Sequence, residues 1–366
     1  MIIRTITCHD VYNVGASLQA YALSEYLSRQ GHDVKIIDYK PDYLSKKYNF
    51  KAVDNSRFEH PFFIRWLYLI LKFPKRLYEY PGKKNFDRFR EQYLCLTKRY
   101  HSLEELEKDP PKADLYIAGS DQIWNTLFQN GKDGAFYLTF APEGTTRASY
   151  AASFATEAIV PEWEAQVGKW LREMDFISVR EKSSLKLLER LEVKGQAVLD
   201  PVFLLPASHW KQMVLHTEER NNIFVYDFDK NEFVKKISLK VKEQIGANIT
   251  SFFKTDYADS YMKNAGPLEF LTMICQSKVI ISNSFHATVF SLIFHKEFYV
   301  IKRNEDINIR MMDLLRLVGL EDRLIANDKD LETILPINWE KVDVIIQGER
   351  EYSKQYLAEL IKNENS

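Results

Sequence analysis

Residues Lys278 to Ile301, KVIISNSFHATVFSLIFHKEFYVI, contain the pattern from which the rest of the chain can be read. Val279, Ile280 and Ile281 form an apolar run too short for a helix. Phe285, Val289, Leu292 and Ile293 then recur at the spacing of one helical face. A buried strand therefore feeds a helix, with Ser282, Asn283 and Ser284 supplying side chains suited to capping it. His286 falls in the first turn, where backbone N–H groups lack intrahelical partners and favour an anion. A second strand, Phe298 to Ile301, completes a βαβ-like unit. Ligand crevices in such units lie at the carboxyl ends of the strands, which is the edge His286 occupies.

The amino terminus repeats this grammar. Ile2, Ile3 and Ile6 belong to a first strand, a polar loop runs from Cys8 to Gly15, and a helix is expected from about Ser17 to Gln30. Gly31 ends that helix, and Val34 to Tyr39 form the next strand. The loop has one glycine where a dinucleotide fingerprint needs three, so NAD and FAD are excluded and no cofactor is expected. Gly15 reads as a tight-turn residue, and Asn13 beside it as a group able to reach a ligand.

Residues 42–100 interrupt the alternation with aromatic and basic material, including Phe62, Phe63, Trp66, Lys72, Arg76, Lys83 and Arg90. A helical pair with aromatics inward and a solvated basic face is the simpler reading. The sharper one is a peripheral contact with anionic lipid. Alternation resumes at Leu115 to Ala118, which leads into Gly119-Ser120-Asp121-Gln122-Ile123-Trp124-Asn125. Ser120, Asp121, Gln122 and Asn125 either meet a ligand or form a plain cap over a buried Trp124. Arg147 to Phe154 and Phe176 to Val179 read as strands. Arg180 follows the second, placed either to grip a carboxylate or phosphate bidentately or to pair with Glu181 at the surface. Asp200, at another strand end, caps, orients Arg180, or does neither.

A polar linker places a boundary near residues 205–222, and a second alternation begins at Ile223 to Tyr226. Asp227-Phe228-Asp229 then reads as an ordinary turn in preference to a cation site. The organisation expected is an α/β chain with a first Rossmann-like domain over 1–205 carrying a helical insertion near 42–100. A second such domain spans 206–338, and a closing helix lies within 339–366.

Composition sets the outer limits. The 366 residues are 45% hydrophobic and balance 50 basic against 51 acidic side chains, which gives no footing for a nucleic-acid partner. Cys8, Cys95 and Cys275 are far apart and form no C-x-x-C pair, arguing against a structural metal or a disulfide framework. No signal peptide and no membrane span is read, so a cytoplasmic location is expected.

The strings YNVGASLQAYAL, GSDQIWN, SYAASF, SVREKSS, LDPVFLL, SNSFHATVFSLIF and IRMMDLLRLVGLEDR, in that order, resemble the polysaccharide pyruvyl transferase family. The resemblance implies two Rossmann-like domains facing a cleft, as in GT-B glycosyltransferases. It also implies phosphoenolpyruvate as donor, a sugar of a bacterial surface polysaccharide or its lipid-linked precursor as acceptor, and a pyruvate ketal as product. His286 matches the histidine of the family's S-x-x-H-A motif and Arg180 the arginine of its S-x-R-E motif. Arg180 is thereby assigned to the donor's acidic groups, with Ser284 beside it, and His286 to donor binding or proton transfer. Asp121 is the candidate base.

Many members carry arginine immediately before that histidine, where this chain has Phe285. A phenylalanine cannot neutralise phosphate, so Arg310, Lys302 or Arg303 is expected to take its place, or the donor differs. Asn13, Gly15, Ser120, Gln122 and Asn125 are assigned to the acceptor side or cleft. Two other readings stay open at this level: a GT-B enzyme using a nucleotide-sugar, with Asp227 and Asp229 as its support, and a non-catalytic carbohydrate- or phosphate-binding homologue.

Overall fold

The structure is a computed structural model that describes residues 1–44, 48, 53, 61–303 and 308–363. Five strands form a first parallel sheet: β1 (Ile2–Ile6), β2 (Asp33–Tyr39), β3 (Leu96–Tyr100), β4 (Leu115–Ala118) and β5 (Thr146–Ser149), in the order β3-β2-β1-β4-β5. Two short strands, β6 (Ser178–Val179) and β7 (Gln196–Ala197), pair with each other beside it. The second sheet contains β8 (Asn222–Tyr226), β9 (Asn248–Ser251), β10 (Ser260–Tyr261), β11 (Val279–Ser282), β12 (Glu297–Ile301) and β13 (Leu324–Ile325), in the order β10-β9-β8-β11-β12-β13.

Counted along the chain, both sheets follow the doubly wound order 3-2-1-4-5, and the second completes it with a sixth strand. In each, the connections reverse direction between the first and fourth strands, opening a crevice beyond their carboxyl ends. Parallel strands covered on both faces should read as unbroken apolar runs. The central strands do so: Val279, Ile280 and Ile281 are buried, with Ile281 beside Val225 on β8.

Several elements depart from the sequence reading. The first helix is Val14–Arg29, beginning three residues earlier than expected because Asn13 caps it; its Oδ1 accepts from the N–H groups of Gly15 at 2.9 Å and Ala16 at 3.2 Å. The strand read over Arg147 to Phe154 is regular only as β5, continuing through isolated bridges from Ala152 to Asp121 and Val179. Within 42–100 the expected helical pair is one long helix, Phe62–Tyr93, that runs through Pro74 and Pro81, and the interval also contains β3. Residues 45–47, 49–52 and 54–60 of that interval lie outside the described residues.

The two ends of the Phe62–Tyr93 helix differ. At its carboxyl end Arg90 joins Arg99 and Lys40 around the buried carboxylate of Asp10, at 3.0, 3.0 and 2.7 Å, which fastens the helix to the first sheet. At its amino end the large apolar side chains face outward, with Phe62 72% and Leu71 71% exposed. Among the described residues no helix is long and apolar enough to cross a membrane.

The largest hydrophobic cluster spans both halves. Leu18, Tyr21 and Ala22 of the first helix and Phe89 of the long helix pack with Trp210, Phe270, Phe285 and Phe290. The closing helix, Trp339–Asn363, returns to the first sheet, where Tyr356, Leu357 and Leu360 join Ile3, Leu23 and Leu115. Its Ser353 hydroxyl accepts from the Leu199 N–H at 2.9 Å.

Candidate active site

The carboxyl ends of β4 and β11, each at a topological switch, face one another across the interface between the halves. From the first come Ser120, Asp121 and Gln122, and from the second Ser284, Phe285 and His286. Between them stands Asp200, which opens a single 3-10 turn, Pro201–Leu204, and caps it by accepting from the Val202 N–H at 3.1 Å.

Asp200 is the hub. Its Oδ2 accepts from Arg180 Nη1 at 2.8 Å and Ser120 Oγ at 3.3 Å, and lies 3.5 Å from His286 Nε2. Burial raises the pKa of this carboxyl, but His286 and Arg180 together prevail and hold it well below the usual carboxylate range. Of the alternatives the sequence left open, Asp200 thus both caps and orients Arg180. Arg180 also donates Nε to Glu181 at 3.1 Å, and Glu181 is fixed in turn by the hydroxyls of Ser153 at 2.6 Å and Ser184 at 3.3 Å. Arg180 is therefore a buried, oriented guanidinium and not a surface pair. Burial opposes its charge, yet Glu181, Asp200 and Asp121 raise its pKa.

Arg310, from the Ile309–Val318 helix, is the second buried arginine. Asp121 Oδ1 lies 3.9 Å from both Arg180 Nη2 and Arg310 Nη1. With its amide turned toward Arg310, the Gln122 carbonyl accepts from both terminal nitrogens at 3.2 and 3.1 Å. Burial and the neighbouring charge of Arg180 push Arg310 down to about 10. It remains a cation at neutral pH, held at a cost. Asp121 itself has φ +72°, a left-handed conformation uncommon for a residue other than glycine, and such backbone concentrates at sites where a side chain must be aimed.

Gly15 differs from its sequence reading. It is the second residue of a helix, not a turn residue, and what it provides is the absence of a side chain: a Cβ there would lie 2.0 Å from His286 Nδ1. The His286 ring rests directly on the first turn of the opposing domain's helix. Asn13, read as able to meet a ligand, spends its carbonyl oxygen on capping that turn.

Two other assignments are corrected. Asn125 is fully buried, and its side chain is spent within its own loop, accepting from the Leu127 N–H at 3.0 Å, so it braces the turn and does not face the cleft. Lys302 is exposed beyond β12 and makes no ion pair among the described residues. Arg303 pairs with Asp229 at 3.0 Å and lies over Phe228. Of the three candidate cations, the one that lies over the Phe285 ring is Arg310. Asp227 accepts from the N–H groups of Asp229 at 2.9 Å and Asn231 at 2.7 Å and from the Asn283 amide, which makes it a turn carboxylate as expected. No cluster that could hold a metal occurs among the described residues. The sequence reading considered Glu181 only as a surface partner of Arg180, where the pair is in fact buried, and gave no role to Ser153.

Two doubly wound halves that face each other have the arrangement of the two-domain GT-B fold. Solved structures of this shape include a UDP-N-acetylglucosamine 2-epimerase, with 11% identity over 98% of this chain and 95% of that one and a TM-score of 0.55. Arabidopsis thaliana UGT89C1 complexed with UDP-L-rhamnose gives 10%, 99%, 98% and 0.51, and an alpha-glucosyltransferase in complex with UDP gives 9%, 97%, 94% and 0.50. At such identities the likeness is one of fold. The family model for polysaccharide pyruvyl transferase matches residues 13–305, and the chain belongs to that family. No curated protein matches it in sequence.

Proposed function

We propose that the cluster around Asp200 binds phosphoenolpyruvate and transfers its three-carbon unit to two hydroxyls of one sugar, forming a pyruvate ketal. The observation supporting this is that Arg180 Nη2, Arg310 Nε and His286 Nε2 are all buried without a hydrogen-bond partner among the described residues. Each buried donor left unpaired costs on the order of 1–3 kcal/mol. A small ligand bearing carboxylate and phosphate oxygens would recover much of that cost.

In this reading Arg180 and Arg310 hold the donor's two acidic groups, and the amino end of the Phe285–Ile293 helix, with Ser284, adds its partial positive charge. His286 delivers a proton to the methylene carbon of the enol, which becomes the methyl group and leaves the adjacent carbon electrophilic. A sugar hydroxyl attacks that carbon and Asp121 takes its proton. The C–O bond to phosphate breaks, and the second hydroxyl closes the ketal. Of the two hydroxyl protons, one replaces that given by His286 and the other departs with phosphate. Asp200 acts through its neighbours, positioning Arg180 and His286 together.

The acceptor in this reading is a sugar of a surface polysaccharide or of its lipid-linked precursor, and the exposed apolar face of the Phe62–Tyr93 helix rests on the inner, anionic face of the membrane. Calorimetric melting of the protein with phosphoenolpyruvate, and separately with nucleotide-sugars and manganese, tests the donor. A rise with phosphoenolpyruvate is expected, since a ligand that binds only the native state stabilises it. A rise with nucleotide-sugars alone refutes the reading. So does undiminished phosphate release, with a competent glycan acceptor, in both His286→Ala and Arg180→Ala.

A further inference from the structure

A cavity of about 320 Å3 begins at Asn13 and Val14, immediately before the glycine that backs His286. Tyr12 and Phe86 wall one side, and Tyr226, Phe228, Phe252 and Phe253 wall the other. The latter four lie at or just beyond the carboxyl ends of β8 and β9. The rings brace one another: Tyr226 stacks on Phe253 at 5.5 Å between centroids and contacts Phe228 at 4.8 Å, while Tyr12 meets Phe86 edge-on at 5.9 Å. Tyr12, Phe86 and Tyr226 belong to the main hydrophobic core and Phe252 and Phe253 pack against it, so the walls are rigid, while Phe228 at the opening remains 37% exposed. Apolar area left uncovered forgoes roughly 25 cal/mol per Å2, so a pre-formed aromatic hollow of this size has the character of a ligand site.

The rim defines the ligand. Lys254 and Lys263 line the cavity, both exposed and without an ion pair among the described residues; Lys263 lies 5.0 Å over the Tyr78 ring. Lys83, over the Tyr12 ring on the opposite side at 5.7 Å, is already paired with Asp87, so the free charge at the mouth is that of Lys254 and Lys263. No carboxylate is among the described residues that line it. Lysines at the mouth repel an organic cation, which removes the ammonium-cage reading of the aromatics, and attract phosphate. The ring faces suit the C–H face of a pyranose. Tyr78 belongs to the long insertion helix and shares a 2.8 Å hydrogen bond with Tyr261, so the mouth adjoins the exposed apolar stretch that includes Trp66, Ile70 and Leu77.

We infer that this cavity is the acceptor subsite and takes the glycosyl phosphate head of a lipid-linked sugar, with the sugar on the rings, the phosphate at Lys254 and Lys263, and the lipid along the helix. The inference rests on the pyruvyl-transfer reading and places its acceptor next to His286. Saturation-transfer NMR on the full chain tests it with the 1-phosphates of glucose, galactose, mannose and N-acetylglucosamine, the free sugars, farnesyl phosphate and UDP. At least one sugar phosphate should bind, about tenfold or more tighter than its free sugar, and phosphoenolpyruvate should not displace it. Phe228→Ala and the double variant Lys254→Glu/Lys263→Glu should each weaken it about tenfold or more, a loss of ~1.4 kcal/mol. Binding by none of the sugar phosphates, binding undiminished in both variants, or Phe228-dependent binding of UDP alone overturns the inference. Phosphoenolpyruvate binding, measured in parallel, fails only if the donor reading fails, so the two are separable.

Discussion

The guanidinium of Arg180 lies 4.4 Å over the ring of Phe285, and that of Arg310 lies 5.8 Å over the same ring. The residue that seemed to remove a cation from the site instead spaces two of them. A desolvated arginine over an aromatic face gains up to about 2 kcal/mol, which partly offsets the repulsion between neighbouring guanidiniums. Phe285→Leu should keep the apolar volume while lowering phosphoenolpyruvate affinity by about three- to thirtyfold, checked by calorimetric titration. Unchanged affinity would remove the ring from the donor site.

Gly15→Ala adds a methyl group where the His286 ring lies. Overpacking of this kind costs about 1–3 kcal/mol, whereas alanine in an unobstructed helix is favoured over glycine by about 1 kcal/mol. Gly15→Ala should therefore destabilise the native chain but be neutral or stabilising in His286→Ala. Urea melts of the four combinations supply the double-mutant cycle. Additive effects would mean that the two residues do not touch.

Asp200→Asn leaves Arg180 with a diminished counter-charge in a dry site and should cost about 3–5 kcal/mol at pH 7. The sign of the pH dependence follows from the depressed pKa. Its contribution is complete above the unfolded carboxylate value of about 3.9 and declines as pH falls through the lower folded value. The gap between native and variant urea midpoints should therefore hold from pH 7 to about pH 5 and narrow below about pH 4. A gap that ignores pH would assign the loss to packing.

Arg310 is penalised in the folded state, since its pKa falls to about 10 where an unfolded arginine titrates above about 12. The unfolded chain thus binds more protons between those values, and this side chain's effect on stability becomes more favourable as pH rises through about 10. At neutral pH its charge is a cost that a bound anion relieves. Arg310→Met should accordingly be no less stable than the native chain without ligand, yet lose the melting shift produced by phosphoenolpyruvate. Retention of that shift would exclude Arg310 from the donor site.

The segment from Phe62 to Lys84 contains Arg65, Lys72, Lys75, Arg76, Lys83 and Lys84 against the single acid Glu79. Basic residues near an anionic bilayer contribute about 1 kcal/mol each. The protein should float with phosphatidylglycerol vesicles at low salt, largely dissociate in high salt, and bind weakly in Trp66→Ser/Ile70→Ser. Equal flotation with neutral vesicles would refute the electrostatic part.

Much of this protein was settled by its sequence. Short apolar runs followed by amphipathic periods predict parallel strands and crossover helices, because burial on both faces of a sheet leaves little other composition for the strands. His286 and Arg180 were legible because strand ends collect ligand-binding groups. The closure of the site was not. Arg310 was one of three candidate cations that the sequence left undivided, while Asp200 and Gly15 lie far apart along the chain and at positions where a cap and a turn glycine are equally good local readings. Their roles arise only when the two sheets face each other: one carboxylate then meets a guanidinium and an imidazole from different halves, and one missing Cβ admits a ring from the opposite domain. Local preference is a property of neighbours in sequence, whereas desolvation, charge pairing and steric exclusion are properties of neighbours in space, and only the tertiary structure supplies those.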